Sequence, residues 1–544
     1  MSVRLHLNTA ACEAPPGTSL FDCAEQLHIP LATSCRKQGK CRECVVEVVA
    51  GQELLNPPQP AEQHLRGAFR LACCARVAAP AGDLRVHTMR RGEMKIERRA
   101  FDLPEGEAGR ALDPAVTRQG DRILLDGVEV DRRAGPIHGL AIDLGTTTVV
   151  LRLLNLETGE VVADAAFENP QRFGGSDVMA RIQYDTEDRT KSLQRTLVAH
   201  LGHAIAGLPV DPLSIYEVVI AGNSTMRDLF FRLSVHSIGQ SPYHSITEIE
   251  LAEGRRRTTS LVAPARDLGL HLHPQARVYG LPIISGHVGA DAAACMLAID
   301  LAHEDRLVAV MDIGTNTELI LGNRHRILAA SCPAGPAFEG GEISCGMPGL
   351  PGAIEKVELW KDGSVTCTVI GDAPAEGVCG SGLVDLLSEL LRSGRMNELG
   401  RFTDGSAEFT LARTADGSAL AFTESDASAL AQAKGANVAG LRVAAAEYGI
   451  EYGRIDQFYL AGGFGRHLNV DAAKRIGLIP EIDNERISQI GNASLEGACL
   501  ALLSRTRRAE LEELVRRVTH CSLETHPGFF DFFVEGCLYR PTGA

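Results

Sequence analysis

The stretch GLAIDLGTTTVVLRLL, residues 139–154, contains an apolar strand that ends near an aspartate, a Gly-Thr turn and a second apolar strand. VAVMDIGTNTELILG, residues 308–322, repeats the same pattern. The two aspartates, Asp143 and Asp312, are 169 positions apart, a separation that indicates duplicated half-domains. With 544 residues, the chain has room for such a duplication and for at least one further domain.

Each copy is predicted to form a tight β-hairpin whose turn binds phosphate. Glycine lets the backbone approach an anion closely, and the amides and threonine hydroxyls of the turn can donate hydrogen bonds to phosphate oxygens. The aspartate can hold water-coordinated Mg²⁺ beside that phosphate, so Asp143 and Asp312 are the predicted catalytic residues. One such turn is also consistent with an ordinary strand connection, but two at half-domain spacing favour a triphosphate site. The predicted phosphate-binding residues are Gly145, Thr146, Thr147, Gly314, Thr315 and Asn316.

A third glycine turn follows the apolar strand FYLA within QFYLAGGFGRHLN, residues 457–469. Its glycines would allow the backbone to approach a base or ribose closely. No Walker A sequence occurs in the chain. The residues predicted to border the nucleoside are Gly462, Gly463 and Gly465.

Two further segments fit a core of two α/β halves. EVVIAGNSTM, residues 217–226, predicts a strand that enters a polar turn, and GVCGSGLVDLLSELLRSG, residues 377–394, predicts a glycine turn followed by an amphipathic helix. Asn223 and Ser381 in these turns are either polar contacts of the site or helix caps. Together with the three glycine turns, these segments resemble the actin, Hsp70 and sugar-kinase (ASKHA) ATPase superfamily, which implies that the nucleotide is ATP and that Mg²⁺ accompanies it.

The N-terminal stretch LATSCRKQGKCRECVVEVVA, residues 31–50, contains three cysteines in the spacing C-x5-C-x2-C, and Cys73 follows after 28 residues. A four-cysteine zinc site normally uses two C-x2-C pairs, whereas Cys41 and Cys44 form only one. The plant-type ferredoxin spacing, C-x4-C-x2-C…C, is closer to this pattern. The spacing therefore favours a 2Fe–2S cluster over zinc.

The longer first gap resembles the adrenodoxin-like branch of the 2Fe–2S ferredoxins, and FRLACCARV, residues 69–77, resembles that family's returning segment. The resemblance implies that Cys73 is the fourth ligand, with Cys74 as the rival. If this segment is extended, adjacent side chains point to opposite faces, so only one of the two thiols can reach the iron. The predicted metal ligands are Cys35, Cys41, Cys44 and Cys73.

The cysteine loop also carries four basic residues, Arg36, Lys37, Lys40 and Arg42. They are either a solvated charge run or an electron-exit face that attracts an acidic partner. Residues 1–93 contain eleven Lys and Arg against nine Asp and Glu, while the whole chain has a net charge of −15. The acidity of the remainder argues against a general nucleic-acid binder.

The predicted fold class is multidomain α/β, with an N-terminal β-grasp ferredoxin domain, a short linker and a two-lobed ASKHA-type ATPase domain. The predicted boundaries are 1–93 for the ferredoxin domain, 94–137 for a linker with at most a small hairpin, and 138–544 for the ATPase domain, whose halves are about 138–305 and 306–544. No apolar run is long enough to span a membrane, and MSVRLHLNTA lacks a signal-peptide core, so we expect a cytoplasmic protein without a membrane partner.

A ferredoxin domain joined to this ATPase core resembles the reductive activators of corrinoid proteins. The blocks FENPQRFGGSDVMARI (167–182), SGHVGADAAA (285–294) and GPAFEGGEISCGMPG (335–349), with AGNSTM and GVCGSG, carry the resemblance. It implies ATP-dependent electron transfer from the 2Fe–2S cluster to an inactive Co(II) corrinoid protein, which restores the Co(I) state for methyl transfer. One departure is that the family's middle region is expected to be reduced here to the linker.

The resemblance also implies the partners and leaves alternatives. The corrinoid protein of a methyltransferase system and an external electron donor (a ferredoxin, flavodoxin or reductase) are expected, and homodimerisation is left open. A dehydratase-activator-like electron donor, a small-molecule kinase with a redox sensor, and a redox-sensing ATPase scaffold are the alternative functions. The N-terminal cluster counts against the first alternative, because dehydratase activators hold a 4Fe–4S cluster between subunits.

Overall fold

The computed structural model describes residues 2–8, 10–89, 112–371, 373–415, 417–463 and 465–542. Within them, two compact units divide between Gly280 and Leu281. This division lies earlier in the chain than the half-domain boundary that we place at 305. The reason is that the helix Ala290–Ala298 packs against the helix Ala493–Leu503 of the second unit. No helix of the described segments is long and apolar enough to cross a membrane.

The N-terminal domain of the first unit has a β-grasp arrangement. Its five-stranded sheet has the order β2-β1-β5-β3-β4, and β1 and β5 are parallel. Alternate residues of β1 are buried, as the period-two pattern of VRLHL predicts. Ser19 begins the helix by accepting a hydrogen bond from the Asp22 N–H. The elements are β1 Val3–Leu7, β2 Ala10–Ala14, α1 Leu20–Gln26, β3 Val45–Ala50, β4 Phe69–Leu71 and β5 Gly82–Thr88.

The segment predicted as a linker contains a three-stranded antiparallel sheet, β6 Val116–Gln119, β7 Arg122–Leu125 and β8 Val128–Arg132. The turn between β7 and β8, at Asp126 and Gly127, is the predicted Asp-Gly turn. The sheet has one strand more than the two that the sequence indicates. VTRQ lacks strong apolar alternation, and it pairs because Val116 is buried opposite Leu125.

The remainder of the first unit is a mixed sheet flanked by helices, with strand order β11-β10-β9-β12-β14-β13. Its central strand, β12, is buried along its whole length; the apolar run at 218–221 favours this burial, and the buried Glu217 pairs with Arg277 at 2.5 Å. The elements are β9 His138–Leu144, β10 Thr148–Asn155, β11 Val161–Glu168, α2 Val178–Glu187, α3 Ser192–Ala206, β12 Ile215–Gly222, α4 Ser224–Phe230, α5 Ile246–Ala252, β13 Leu261–Pro264 and β14 Arg277–Gly280.

The second unit is built on a sheet with strand order β24-β23-β15-β16-β17-β25. Its longest helix, α8, begins with a Thr423–Asp426 capping box and ends at Gly449, which has φ +82°. The elements of the main sheet and its helices are α6 Ala290–Ala298, β15 Val308–Asp312, β16 Thr317–Asn323, β17 Arg326–Cys332, α7 Gly380–Arg392, α8 Glu424–Tyr448, β23 Gln457–Ala461, α9 Val470–Arg475, β24 Ile487–Gly491, α10 Ala493–Leu503, α11 Arg505–Val515, β25 Val518–His520 and α12 Phe529–Gly536. Two small sheets are formed by β18 Ala353–Leu359, β19 Val365–Val369 and β20 Gly377–Val378, and by β21 Glu408–Arg413 and β22 Ala419–Thr423.

The two large sheets repeat one topology. In each, three consecutive antiparallel strands are followed by two parallel ones, so β11-β10-β9-β12-β14 corresponds to β17-β16-β15-β23-β24. In the same register, Asp143 lies opposite Ala221 and Asp312 lies opposite Ala461. The residues after these alanines, Gly222 and Gly462, both have positive φ. The duplication predicted from the two Asp-x-Gly-Thr turns thus extends to the whole core of each half.

Candidate functional site

The thiols of the cysteine loop lie in two neighbouring pairs. The Cys41 thiol donates a hydrogen bond to Cys35, and the Sγ atoms of Cys44 and Cys73 are 3.3 Å apart. Cys41, Cys44 and Cys73 are buried, whereas Cys35 is partly exposed. The structure therefore places the four predicted ligands in two thiol pairs, the second of which joins the loop to Cys73.

Cys73 and Cys74 lie in a turn and not in a strand. Strand β4 ends at Leu71, whose carbonyl accepts hydrogen bonds from the backbone N–H groups of Cys74 and Ala75. The two adjacent thiols are consequently only 3.8 Å apart. The expectation that they point to opposite faces of an extended segment is wrong, because a turn does not alternate its side chains as a strand does.

Hydrogen bonds distinguish the two thiols. The pKa of Cys73 is lowered to about 6, chiefly because the Cys44 thiol donates to it, with further donation from the Cys74 thiol and the Gly39 N–H. Burial and the nearby Cys73 charge raise the pKa of Cys74 to about 12. Thiolates are the iron ligands, so the geometry favours Cys73 over Cys74.

Cys35 is surrounded by backbone donors. Burial alone would raise the pKa of its thiol, but the backbone N–H groups of Cys41, Lys40 and Gln38 and the Cys41 thiol donate to it and lower the pKa to about 7. A loop that turns its amides toward sulfur stabilises negative charge on a thiolate or on a cluster.

A buried ion pair fixes the strand that precedes Cys73. Arg70 donates to both oxygens of Glu62, at 2.8 and 3.1 Å, and the Leu71 N–H also donates to Glu62. Both side chains are at most 2% exposed. Breaking such a pair costs about 3–5 kcal/mol, so the position of the fourth thiol is strongly determined.

The donor set fits a 2Fe–2S cluster. Each iron of such a cluster takes two thiolates, which matches the pairs Cys35/Cys41 and Cys44/Cys73. In the described segments, no group of three or more His, Cys, Asp or Glu side chains is placed to hold a single metal ion.

The first Asp-x-Gly-Thr turn joins β9 to β10 and is held by two asparagines. The Asn169 side chain donates to the Gly145 carbonyl at 2.9 Å, and its N–H donates to the Thr147 carbonyl. Asn223 donates to the Thr146 hydroxyl at 3.0 Å and also caps α4 by accepting from the Met226 N–H. Thr146 is thus held as an acceptor, which orients its own proton away from Asn223 and toward another acceptor.

The equivalent turn in the second unit, between β15 and β16, is held differently. The buried Thr315 hydroxyl donates to the Glu339 carboxylate, and the Gly335 N–H donates to the Thr315 carbonyl. The hydroxyl proton of Thr315 is therefore directed at a carboxylate, and its oxygen presents lone pairs. The two hairpins have the same sequence motif, but their hydroxyls are oriented differently toward a ligand. Thr146 accepts from Asn223 and can donate its proton to a ligand, whereas Thr315 donates its proton to Glu339 and can offer a ligand only its oxygen.

Carboxylates and a thiol surround Asp312. The Cys295 thiol, on α6, donates to Asp312 Oδ2 at 3.2 Å. Glu318 lies opposite Asp312 on β16. Burial raises the pKa of the Glu318 carboxyl well above its usual value, and the charges of Asp291 and Asp312 raise it further. Acidic side chains are thus concentrated at this turn, and a bound cation would favour their ionised forms.

The third glycine turn starts directly beside Asp312. At Gly462, φ is +90°, and a Cβ atom would lie 2.5 Å from the Ile313 carbonyl oxygen and 2.9 Å from Asp312 Oδ1. Its N–H donates to the Gly491 carbonyl at 2.9 Å, and Gln489 donates to the Gly465 carbonyl at 2.7 Å. This turn is therefore part of the same local site as Asp312.

The other residues predicted for the nucleotide site lie in these turns, whereas Ser381 lies in a helix. Gly145 has no room for a Cβ atom because the Thr148 carbonyl occupies that space. Thr147, Gly314 and Asn316 are partly exposed. Ser381 lies within the first turn of α7, 3.5 Å from the Cys379 thiol, so it does not cap that helix.

Several residues of these sites are not indicated by the motifs. Asn169 and Glu339 lie inside the quoted blocks at 167–182 and 335–349, but only the tertiary contacts reveal that they hold the two hairpins. Glu62, whose carboxylate fixes β4, has no sequence signal at all. Cys295, which no quoted motif singles out, touches Asp312.

The N-terminal domain contacts the first half directly. Arg42 donates to the hydroxyls of Thr190 and Ser192, at 2.9 and 3.1 Å, and Arg66 pairs with Glu187 at 2.5 Å. The Tyr184 hydroxyl, on α2, donates to the His64 carbonyl at 2.6 Å. Apolar residues of the two sheets also belong to one contiguous buried cluster. One side of the cysteine loop is therefore fixed against the first half.

Comparison with protein families identifies three segments. A model described as the C-terminal domain of RACo, the ASKHA domain, matches residues 306–544; the RACo middle region matches 138–304; and a 2Fe–2S iron–sulfur cluster binding domain matches 5–78. These matches confirm the predicted fold class. From the sequence we expect the family's middle region to be reduced here to the linker. This expectation is wrong, because the middle-region model matches residues 138–304, the segment predicted as the first ATPase half.

Individual relatives match over most of the chain. The corrinoid activation enzyme RamQ of Eubacterium limosum is 30% identical over 447 residues, which are 77% of this chain and 73% of the relative. The [Co(II) methylated amine-specific corrinoid protein] reductase of Methanosarcina barkeri is 25% identical over 431 residues, 75% of this chain and 78% of the relative. A solved structure, described as a reductive activator for corrinoid, iron–sulfur protein, is 28% identical and superimposes with a TM-score of 0.72. The match covers 99% of this chain and 98% of the chain in that structure.

Proposed function

Because the chain belongs to the RACo family, we propose that it is an ATP-dependent reductive activator of a corrinoid protein. One electron passes to the Co(II) corrinoid of the inactive partner and restores the Co(I) state for methyl transfer. The names of two relatives and of the matching solved structure, which refer to corrinoid proteins, support this substrate class. An external donor then replaces the electron that the protein has given up.

One observation carries the proposal: a paired four-thiol loop and two Asp-x-Gly-Thr hairpins occur in one chain. The thiolates of Cys35, Cys41, Cys44 and Cys73 would hold a 2Fe–2S cluster, which would supply a one-electron donor. The hairpins and the glycine turn at Gly462 would bind ATP. The reduction of cob(II)amide is uphill for an ordinary ferredoxin, and an ATP-dependent change of affinity for the partner can supply the difference.

We assign different roles to the two hairpins. The Thr146 hydroxyl, oriented by Asn223, donates to an ATP phosphate. The oxygen of the Thr315 hydroxyl, oriented by Glu339, and the nearby carboxylates are acceptors that would hold Mg²⁺ or one of its waters. Asp312 positions that ion, and the Cys295 thiol orients Asp312. Asp143 has the equivalent position at the first hairpin.

The substitution Asn223→Asp tests the role of the first hairpin. Aspartate caps α4 as well as asparagine does, so the melting temperature should stay unchanged. The introduced carboxylate would turn the Thr146 proton toward itself and repel phosphate, so the KM for ATP should rise about tenfold to hundredfold. Steady-state ATPase kinetics and thermal unfolding measure the two effects.

Thr146→Val provides the matched comparison. If both residues act through one hydrogen bond to phosphate, Thr146→Val should raise KM, and the double variant should be no worse than Asn223→Asp alone, because no hydroxyl proton is left to redirect. Additive effects on KM would contradict the linked role.

The function itself is tested by an anaerobic assay with a chemical reductant, ATP and a Co(II) corrinoid protein, followed at the cob(I)amide absorbance band. The Co(I) yield should depend on ATP, and Asp312→Asn should slow its formation about hundredfold while leaving the absorbance of the iron–sulfur cluster intact. Equal Co(I) yields with and without ATP would refute ATP coupling. ATPase activity without any Co(I) formation would favour a redox-sensing ATPase scaffold.

A further inference from the structure

The four basic side chains of the cysteine loop have separate environments. The Lys37 ammonium pairs with Asp22 at 2.8 Å and Glu25 at 2.6 Å, both on α1. The Arg42 guanidinium donates to Thr190 and Ser192 of the first half. These two charges are therefore occupied within the protein.

Arg36 and Lys40 are different, and we call them the basic rim. Both are exposed, and neither side chain makes a hydrogen bond or ion pair with the part of the chain that the structure describes. Arg36 follows Cys35, and Lys40 precedes Cys41, so the basic rim flanks one of the two thiol pairs. The acidic residue of the loop, Glu43, is only partly exposed and accepts a hydrogen bond from Ser34 at 2.6 Å.

The basic rim lies beside the most accessible of the four predicted ligands, Cys35. Cys41, Cys44 and Cys73 are between 2% and 7% exposed, whereas Cys35 is exposed to a greater degree. The opposite side of the loop, at Arg42, is fixed against the first half. Of the four predicted ligands, Cys35 is therefore the one most open to an approaching partner, and Arg36 and Lys40 are its exposed basic neighbours on the loop.

We propose that Arg36 and Lys40 form the docking surface for the protein that accepts the electron, the corrinoid protein, which presents acidic side chains to them. This inference rests on the proposed function, because it requires a cluster at the four thiols. The charge of the rim contrasts with the net charge of −15 of the whole chain. A local basic surface on an acidic protein gives orientation as well as attraction, since the rest of the surface repels the same partner.

The electrostatic attraction that the basic rim exerts on an anion can be measured with small inorganic oxidants. The holoprotein is reduced anaerobically and mixed with ferricyanide, an anion, or with hexaammineruthenium(III), a cation. In each reaction the reduced cluster loses one electron and one oxidant ion gains it. At low salt, Arg36→Glu with Lys40→Glu should lower the ratio of the ferricyanide rate to the ruthenium rate about tenfold or more, and high salt should reduce this difference.

A matched double reversal, Arg4→Glu with Arg85→Glu, serves as the control. Both arginines are exposed on strands of the same N-terminal domain, so the change in total charge is identical. The rate ratio should change less than about twofold, and both double variants should retain the iron content and absorbance of the parent protein. An equal effect of the two reversals would show a general charge effect and overturn the proposal.

The assay with the corrinoid protein separates this inference from the proposed function. If the basic rim docks the partner, its reversal should slow Co(I) formation about tenfold at low salt, whereas the control should not. An unchanged rate ratio and an unchanged Co(I) rate, with the parent protein active, would refute the docking surface alone. Absence of ATP-dependent Co(I) formation in the parent protein would refute the function instead, whatever the oxidants show.

Discussion

Cys73→Ser should lose nearly all of its 2Fe–2S absorbance and iron, whereas Cys74→Ser should retain both. Cys73 accepts hydrogen bonds from the Cys44 thiol and the Gly39 N–H, and these donors favour the thiolate form of Cys73. Cys74 is kept protonated by burial and by the neighbouring charge. Anaerobic absorbance and EPR spectra of the reduced proteins, together with iron analysis, measure the outcome.

The 3.8 Å between the two thiols makes a double variant necessary. Since Cys74 is within reach of the same position, Cys73→Ser with Cys74→Ser gives the baseline of a protein without a fourth thiol. Our assignment requires the single Cys73→Ser protein to match this baseline. A cluster that persists in Cys73→Ser but is lost in the double variant would show that Cys74 can replace Cys73, and loss in Cys74→Ser alone would reverse the assignment.

Gly462→Ala should abolish nucleotide-dependent activity, with ATP hydrolysis and Co(I) formation reduced about hundredfold or more. An added methyl group would lie 2.5 Å from the Ile313 carbonyl oxygen and 2.9 Å from Asp312 Oδ1, so the backbone and the carboxylate must move. Backbone strain at a φ of +90° adds about 1 kcal/mol for alanine. Displacement of Asp312 removes the group that we assign to position Mg²⁺.

Gly449→Ala separates strain from displacement. Gly449 ends α8 with φ +82°, and a Cβ atom there would meet no atom within 4 Å. This variant should lose about 1 kcal/mol of stability and keep its ATPase rate within about twofold. Thermal unfolding and ATPase assays on both variants show whether backbone strain alone or the displacement of Asp312 causes the loss of activity. If Gly462→Ala is no more impaired than Gly449→Ala, the close approach to Asp312 has no functional importance.

Much of the fold follows from local sequence patterns. The Asp-x-Gly-Thr turns between apolar strands predict both hairpins, and their spacing predicts the duplication that the strand order of the two large sheets displays. The cysteine spacing likewise predicts a loop that gathers its thiols. These features depend on residues within one turn or hairpin, so the chain encodes them over short distances.

Local patterns are insufficient where the same motif has different neighbours. Thr146 and Thr315 occupy the same motif position, but Asn223 orients one hydroxyl and Glu339 the other, and neither partner is adjacent in sequence. The equivalence of Gly222 and Gly462 becomes clear only in the pairing register. The extended conformation expected around Cys73 is replaced by a turn whose hydrogen bonds begin at Leu71.

The sequence by itself determined which chemical groups this protein has: four thiols at ferredoxin-like spacing, two phosphate-type hairpins and a third glycine turn. Only the tertiary structure decided how those groups are oriented and which remain available. Lys37 and Arg42 are paired within the protein, the second of them with residues about 150 positions away, whereas Arg36 and Lys40 are exposed. The physical reason is that hydrogen bonds and ion pairs depend on proximity in space, and long-range packing of the sheets and helices sets that proximity.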